Sequence, residues 1–237
     1  MMTPAPEERR HPFWSYGDIA LFLGAVLPSV ALSALLLRWS RAIFPALFKN
    51  EAATALALQA FMYGFLLGSL FLLVSLKYRQ PFWSSLDWKM PFSGAAKVLL
   101  AGPLLAITIS VLGVALKAPA LDNPIQRMIT GRTSLAVVTL FGVLLAPFFE
   151  ELLFRGFVFP LVARSLGVWP GIVFTAIPFA LLHGAQNEWA WQQITLIALA
   201  GIAFGIARAK TGSTAGAFLV HSSYNATQFL GLILTRF

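Results

Sequence analysis

Long apolar runs follow one another along almost the whole chain, beginning near residue 17. Each run is close to the roughly 20 apolar residues that a helix needs to cross the hydrocarbon layer of a bilayer. The runs lie near 17–38, 52–76, 95–117, 134–162, 168–187, 190–208 and 212–235. This pattern predicts an all-α fold, a polytopic transmembrane bundle of about 7–8 helices in which residues 1–237 form a single integral membrane domain.

Tryptophans mark the ends of these runs. Trp prefers the headgroup level of a membrane, because its ring is apolar while its N–H needs a hydrogen-bond partner. The seven are Trp14, Trp39, Trp83, Trp88, Trp169, Trp189 and Trp191. A polar tail with Glu7, Glu8, Arg9 and Arg10 precedes the first run, which is too long for the core of a secretory signal. We therefore expect the first run to remain as a spanning helix.

Composition agrees with a membrane protein. The 237 residues are 58% hydrophobic and only 11% charged, whereas soluble domains carry about 25% charged residues. The net charge of +8 comes from basic residues that mostly lie between apolar runs, so we expect them to contact lipid headgroups rather than nucleic acid. The absence of cysteine excludes a thiol nucleophile and metal sites built on thiolates. We expect a multi-pass protein of the cell membrane.

Three charged side chains lie well inside the fourth run: Glu150, Glu151 and Arg155. A charge at the centre of a membrane helix costs about 2.5–3.5 kcal/mol on insertion scales, so such residues usually face the bundle interior and are functional. Glu151 and Arg155 are four positions apart and can pair on one helix face. Glu150 points about 100° away. The spacing predicts one neutralised carboxylate and one that remains available for chemistry.

Polar groups on two other runs complete the set. His183 lies near the end of the fifth run, and His221 and Asn225 lie four positions apart on the seventh. Convergent polar groups on separate helices are typical of an active site. Other intramembrane polar residues, such as Gln59 and Tyr63, are expected to form interhelical hydrogen bonds or to face lipid.

This set permits two kinds of hydrolysis. A carboxylate beside a histidine can hold and deprotonate a water molecule, while an amide and a second histidine can donate hydrogen bonds to an oxyanion. Alternatively, Glu150, His183 and His221 could bind a divalent metal such as zinc, which would lower the pKa of a bound water. The metalloprotease pattern H-E-x-x-H is absent from the chain. The residues alone leave both alternatives open.

Together the motifs resemble those of a known family. E-E-x-x-x-R at Glu150–Arg155, F-x-x-x-H at Phe179–His183 and H-x-x-x-N at His221–Asn225 are similar to the motifs of the CPBP (Abi) family. That family includes type II CAAX prenyl endopeptidases and proteins of bacteriocin processing or self-immunity. The resemblance covers about residues 133–235, which we take as the catalytic core.

The resemblance implies an intramembrane endopeptidase that acts on membrane-associated peptides or proteins, of prenylated CAAX or bacteriocin-like type. It implies that Glu150 is the water-activating base, that His183 helps to hold the water, and that His221 and Asn225 form the oxyanion site. Glu151 and Arg155 would support this site. The family is often described as a metalloprotease family, whereas a metal-free glutamate mechanism is implied for its members that act on prenylated proteins. The resemblance therefore implies either no cofactor or a divalent metal.

The chain departs from the family in its helix count, with seven runs where eight spans are typical. Either a short additional helix lies within 78–94 or 118–133, or the topology differs from that of the family. Two other functions agree with the same residues. One is a proton-coupled transporter, because intramembrane Glu and His also form proton relays. The other is a non-enzymatic immunity or scaffold protein, in which the polar set only holds helices together.

Overall fold

The structure, a computed structural model, describes residues 11–90, 94–121 and 127–236, and within them every regular element is helical. The helices are α1 (Tyr16–Ile43), α2 (Glu51–Lys77), α3 (Phe82–Ser85), α4 (Ala95–Ala115), α5 (Arg132–Leu166), α6 (Val168–Leu182), α7 (Trp191–Thr211) and α8 (Thr214–Arg236). The prediction of an all-α bundle is therefore confirmed. The tail residues Glu7, Glu8, Arg9 and Arg10 lie outside the described residues.

Five of the described helices are long and apolar enough to cross a bilayer: α1, α2, α4, α5 and α7. Helix α6 is also apolar but has only 15 residues. Helix α8 has 23 residues, and the polar stretch from His221 to Asn225 interrupts its apolar sequence. The chain is a multi-pass integral membrane protein.

Each apolar run of the sequence corresponds to one helix, of which that of the fifth run, α6, is the shortest. The additional short helix expected within 78–94 is present as α3, a single turn of four residues. Because a span needs about 20 residues, α3 does not add a crossing. Residues 122–126, in the other segment where a short helix was expected, lie outside the described residues.

Small residues bring the C-terminal helices into close contact. A side-chain carbon added to Gly102 of α4 would lie 2.7 Å from the carbonyl oxygen of Val220 on α8. At Gly171 of α6 the same atom would lie 3.0 Å from Ala163 of α5. Membrane helices associate largely through such close packing, because lipid provides little hydrophobic drive between them. This packing positions α5, α6, α7 and α8 around one polar interior.

One tryptophan differs from the expected position at the headgroup level. Five of the seven are at least 49% exposed, but Trp14 is 0% exposed. Its ring packs against Phe157 of α5, and its indole N–H donates to the Phe157 carbonyl at 2.9 Å. The segment before α1 is thereby attached to α5.

Candidate active site

Helix α5 presents Glu150 and Glu151 between two π-helical turns, Phe141–Leu145 and Leu152–Val158. In a π-helix the backbone N–H bonds to the carbonyl five residues earlier, and such turns are frequent at functional sites. A proline follows each turn, Pro147 after the first and Pro160 after the second. Since proline has no N–H, each leaves one carbonyl without its backbone donor.

The carbonyl that Pro147 leaves without a backbone donor is that of Gly142. Ala146 donates to Phe141, so the next bond in the same register would join Pro147 to Gly142. The amide Nδ2 of Asn225, on α8, donates to the Gly142 oxygen instead, at 2.7 Å. One of the two amide hydrogens of Asn225 is therefore used to hold α8 against α5 beside the glutamate pair.

The carbonyl that Pro160 leaves without a backbone donor is that of Arg155. Phe159 donates to Phe154, and Pro160 leaves the Arg155 oxygen free. Nε of Arg208, on α7, donates to this oxygen at 3.1 Å. Arg208 also forms an ion pair with Asp87, in the segment between α3 and α4. A side chain from outside α5 thus replaces the missing donor at both proline positions.

Glu151 is at the centre of a fully buried network. Glu151 and Arg155 are both 0% exposed and are joined by a hydrogen bond of 2.9 Å from Nη1 of Arg155 to Oε1 of Glu151. Nη2 of Arg155 donates to the Gly201 carbonyl of α7 at 2.7 Å. Nδ1 of His221 also lies 2.9 Å from Oε1 of Glu151. The pair that the four-residue spacing predicted is thus present, with His221 as a third member.

Aromatic rings enclose this network. The ring of Phe204 stacks on His221 with centroids 4.2 Å apart, and the guanidinium of Arg155 lies 4.9 Å from the centroid of the Phe179 ring. Such rings exclude water and attract the cation through their negative faces. They leave His221 little freedom to rotate, so its second nitrogen keeps a fixed direction.

Glu150 has a different environment from its neighbour. Its side chain is 15% exposed, whereas that of Glu151 is 0% exposed. The hydroxyl of Tyr63, on α2, donates to Oε1 of Glu150 at 3.4 Å, and Nε2 of His221 lies 3.8 Å from Oε2. The second distance is too long for a direct hydrogen bond. Glu150 is therefore the carboxylate of the pair that a small molecule can reach.

His183 lies at the carboxyl end of α6, separated from His221 by the ring of Phe179. The centroid of the Phe179 ring is 4.8 Å from that of His183 and 5.8 Å from that of His221. Nδ1 of His183 lies 2.8 Å from the Phe179 carbonyl. A carbonyl only accepts, so Nδ1 carries the proton and Nε2 of the neutral ring is an acceptor. Among the described residues no direct bond joins His183 or Asn225 to Glu150.

The donors do not form a ready metal site. Within the described part of the chain, no three His, Asp or Glu side chains are placed to hold one ion. His221 directs one ring nitrogen to Glu151 and the other toward Glu150. Among the described residues, Glu150, His183 and His221 therefore do not form a preformed three-ligand site for a metal ion.

Two further residues contact the site from outside the motifs. Tyr63 was expected only to form an interhelical hydrogen bond or to face lipid, and its hydrogen bond is to Glu150 itself. Arg208 gave no signal beyond its place at the end of the sixth apolar run. The two prolines could have indicated both positions that need a donor, but not which side chains supply it.

Comparison with known proteins identifies the C-terminal region. Residues 132–227 match the family described as Type II CAAX prenyl endopeptidase Rce1-like, and this range contains all the site residues of α5, α6 and α8. No curated protein and no solved structure matches the chain. The family implies protease activity and peptide substrates in a membrane. This part of the chain therefore carries an Rce1-like domain, as the resemblance to CPBP-type CAAX proteases indicated.

Proposed function

We propose that the protein is an intramembrane endopeptidase that hydrolyses CAAX-type substrates with a water molecule activated by Glu150. One observation carries the proposal: of two adjacent carboxylates in a membrane helix, Glu151 is closed in by Arg155 and His221 while Glu150 remains accessible. An accessible carboxylate in apolar surroundings is a suitable general base. The Rce1-like domain supplies the reaction class.

In the proposed reaction, Glu150 removes a proton from the water as its oxygen attacks the scissile carbonyl. The neutral His183 ring can accept the other water hydrogen at Nε2 and so orient the nucleophile. The carbonyl oxygen becomes an oxyanion, which Nε2 of a doubly protonated His221 and the second amide hydrogen of Asn225 would stabilise. Glu150 then transfers its proton to the leaving amine as the C–N bond breaks.

Glu151 and Arg155 support this reaction without touching the substrate. The bond from His221 to Glu151 fixes the ring and directs its Nε2 toward Glu150. Arg155 balances the charge of Glu151 and connects it to α7 through Gly201. Because the described residues form no three-ligand site for a divalent ion, the proposed reaction uses only side chains of the protein.

The test is cleavage of a prenylated CAAX peptide by purified protein in lipid vesicles. Glu150→Gln and His183→Ala should each lower kcat/KM by about 10²–10⁴-fold, the usual contribution of a positioned acid–base group. The matched control is Glu188→Gln, at an exposed loop position, which should keep full activity. Full activity in a folded Glu150→Gln variant would contradict the proposal, and pH-driven flux without cleavage would indicate a transporter.

A further inference from the structure

Helix α6 is shorter than the bilayer that its neighbours can cross. Its 15 residues extend about 22 Å at 1.5 Å per residue. Helices α4 and α7 have 21 residues each and extend about 31 Å, which matches a hydrocarbon core of about 30 Å. A tilt of α6 would only shorten the distance that it covers across the bilayer. Lipid beside α6 therefore meets a helix about 8 Å shorter than that core.

One face of α6 is available to lipid along its whole length. Its buried residues pack against α5 and α7, and its opposite face consists of exposed apolar side chains. These are Val173, Phe174, Ile177, Pro178, Leu181 and Leu182. In a multi-pass membrane protein, an exposed apolar face of this kind contacts acyl chains. The difference in length is thus presented to lipid and is not covered by the described residues.

Tryptophan and polar groups mark both ends of this face. Trp169, in the first turn of α6, is 65% exposed, and Trp189, in the loop after α6, is 61% exposed. A side-chain carbon added to Gly184 would lie 2.4 Å from the Trp189 ring, so this ring lies at the end of α6 itself. The same loop carries the exposed Glu188. Lipid-exposed loops and charges do not lie in hydrocarbon, so the hydrocarbon must end where α6 ends.

His183 lies at this boundary, because it directly follows the last residue of α6. Its ring is fixed by the contact of Nδ1 with the Phe179 carbonyl, and its Nε2 is the atom proposed to orient the attacking water. A bilayer of full thickness would place acyl chains over the His183 end of α6. A thinner bilayer brings the hydrated headgroups to the level of the imidazole.

We propose that the bilayer is locally thin where lipids contact α6, with a hydrocarbon core about 8 Å thinner than beside α4. A helix too short for its bilayer is accommodated by thinning, by flanking side chains or by oligomerisation. The exposed tryptophans favour thinning, because they reach the headgroups at both ends only if the hydrocarbon ends there. Short-chain phospholipids therefore suit this face best. The inference rests on the proposed peptidase function only in its consequence, which is that the thin region brings water to His183.

The experiment measures depth in the membrane without hydrolysis. The chain has no cysteine, so single cysteines can carry a spin label in the Glu150→Gln variant in dioleoylphosphatidylcholine vesicles. Electron paramagnetic resonance then compares the access of oxygen, which dissolves in hydrocarbon, with that of a water-soluble nickel chelate. Val168→Cys and Leu182→Cys place labels at the two exposed ends of α6. Both labels should be reached better by nickel than by oxygen.

Leu100→Cys and Val114→Cys are the matched pair on α4, exposed and with the same spacing in sequence. Because α4 crosses a full core, the label at Leu100 should favour oxygen and the label at Val114, beside the helix end, should favour nickel. An α6 label that favours oxygen would overturn the inference, since α6 would then sink into a bilayer of full thickness. Shielding of the α6 labels from both probes would also overturn it, because a second copy of the chain would then cover this face.

Cleavage by the wild-type protein is measured separately in short-chain dimyristoleoyl and long-chain dierucoyl phosphatidylcholine. The rate should be about tenfold lower in the long-chain lipid, because the mismatch beside α6 grows with the thickness of the bilayer. Equal rates in the two lipids would contradict the supply of water to His183 through the thin region. Absence of cleavage in both lipids would count against the peptidase function, and the label depths would still decide whether the bilayer is thin at α6.

Discussion

The two π-helical turns of α5 share one backbone arrangement and differ in their surroundings. In Phe141–Leu145 no residue is buried, and the carbonyl freed by proline accepts from the half-buried Asn225. In Leu152–Val158 five of seven residues are buried, and the freed carbonyl accepts from the buried Arg208. The upstream turn is partly exposed at the surface of the bundle, whereas the downstream turn is enclosed by protein.

This difference explains how two adjacent glutamates acquire different environments. We call the part of α5 around the upstream turn the accessible half and the part around the downstream turn the enclosed half. Glu150 belongs to the accessible half and contacts Tyr63, and Glu151 belongs to the enclosed half and contacts Arg155. A fully buried charge without a partner is very costly, whereas a partly exposed one loses less of its solvation. We infer that the enclosed half provides rigidity and the accessible half provides reactivity, and variants can test each half separately.

The largest effect is expected from removing the negative charge of Glu151, in the enclosed half of α5. Glu151→Gln leaves the buried Arg155 without its charge partner, and removing one member of a buried ion pair typically costs about 3–5 kcal/mol. We expect a clearly lower thermal unfolding midpoint in detergent, together with loss of activity because His221 is no longer held.

Glu150→Gln provides the comparison, since it is the same chemical change one residue away. It should lower kcat/KM by about 10²–10⁴-fold while moving the unfolding midpoint only slightly, because Glu150 is partly exposed and its hydrogen bond from Tyr63 is long. Equal destabilisation by the two substitutions would show that both halves of α5 are structural and that the contrast between them is wrong.

The next effect concerns the two roles of Asn225. Asn225→Ala leaves the Gly142 carbonyl without a donor, which should cost about 1–3 kcal/mol, and it also removes the proposed oxyanion donor. Adding Pro147→Ala restores a backbone N–H five residues after Gly142. We expect the double variant to recover thermal stability but not activity.

Pro160→Ala is the matched control for this rescue, because it restores the N–H opposite Arg155 and not opposite Gly142. It should leave the instability of Asn225→Ala unchanged. Recovery of both stability and cleavage in Asn225→Ala/Pro147→Ala would mean that Asn225 only holds α5 to α8 and that the oxyanion donor lies elsewhere.

The smallest effect is expected at Tyr63. Its hydroxyl bond to Glu150 is long, 3.4 Å, so Tyr63→Phe should change stability by less than about 1 kcal/mol and lower kcat by less than about tenfold. Steady-state cleavage kinetics measure this change. A loss as large as that of Glu150→Gln would show that Tyr63 itself contacts the reacting groups.

Much of this fold could be predicted because the sequence patterns that determine it involve residues close together in the chain. A bilayer requires about 20 apolar residues per span, so the seven runs matched seven helices. The pairing of Glu151 with Arg155 depends only on helix geometry, which places residues four apart on one face. The two prolines that flank the glutamates are likewise a local signal, because proline has no N–H and frees a backbone carbonyl of a helix.

The remaining contacts depend on tertiary packing and leave no local signal. Arg208 reaches partners 53 and 121 positions away in the sequence. Tyr63 lies 87 positions from Glu150. The buried position of Trp14 arises from contact with Phe157, 143 positions away. Only the folded bundle determines which of many polar side chains meet these groups.

The two proline positions also affect how the protein is made. When α5 enters the membrane, the donors for its free carbonyls belong to α7 and α8, which are synthesised later. An unsatisfied backbone group in lipid costs several kcal/mol. We therefore expect α5 to reach its stable form only after the last helix has been inserted. Folding of the segment that carries the glutamates then depends on α7 and α8.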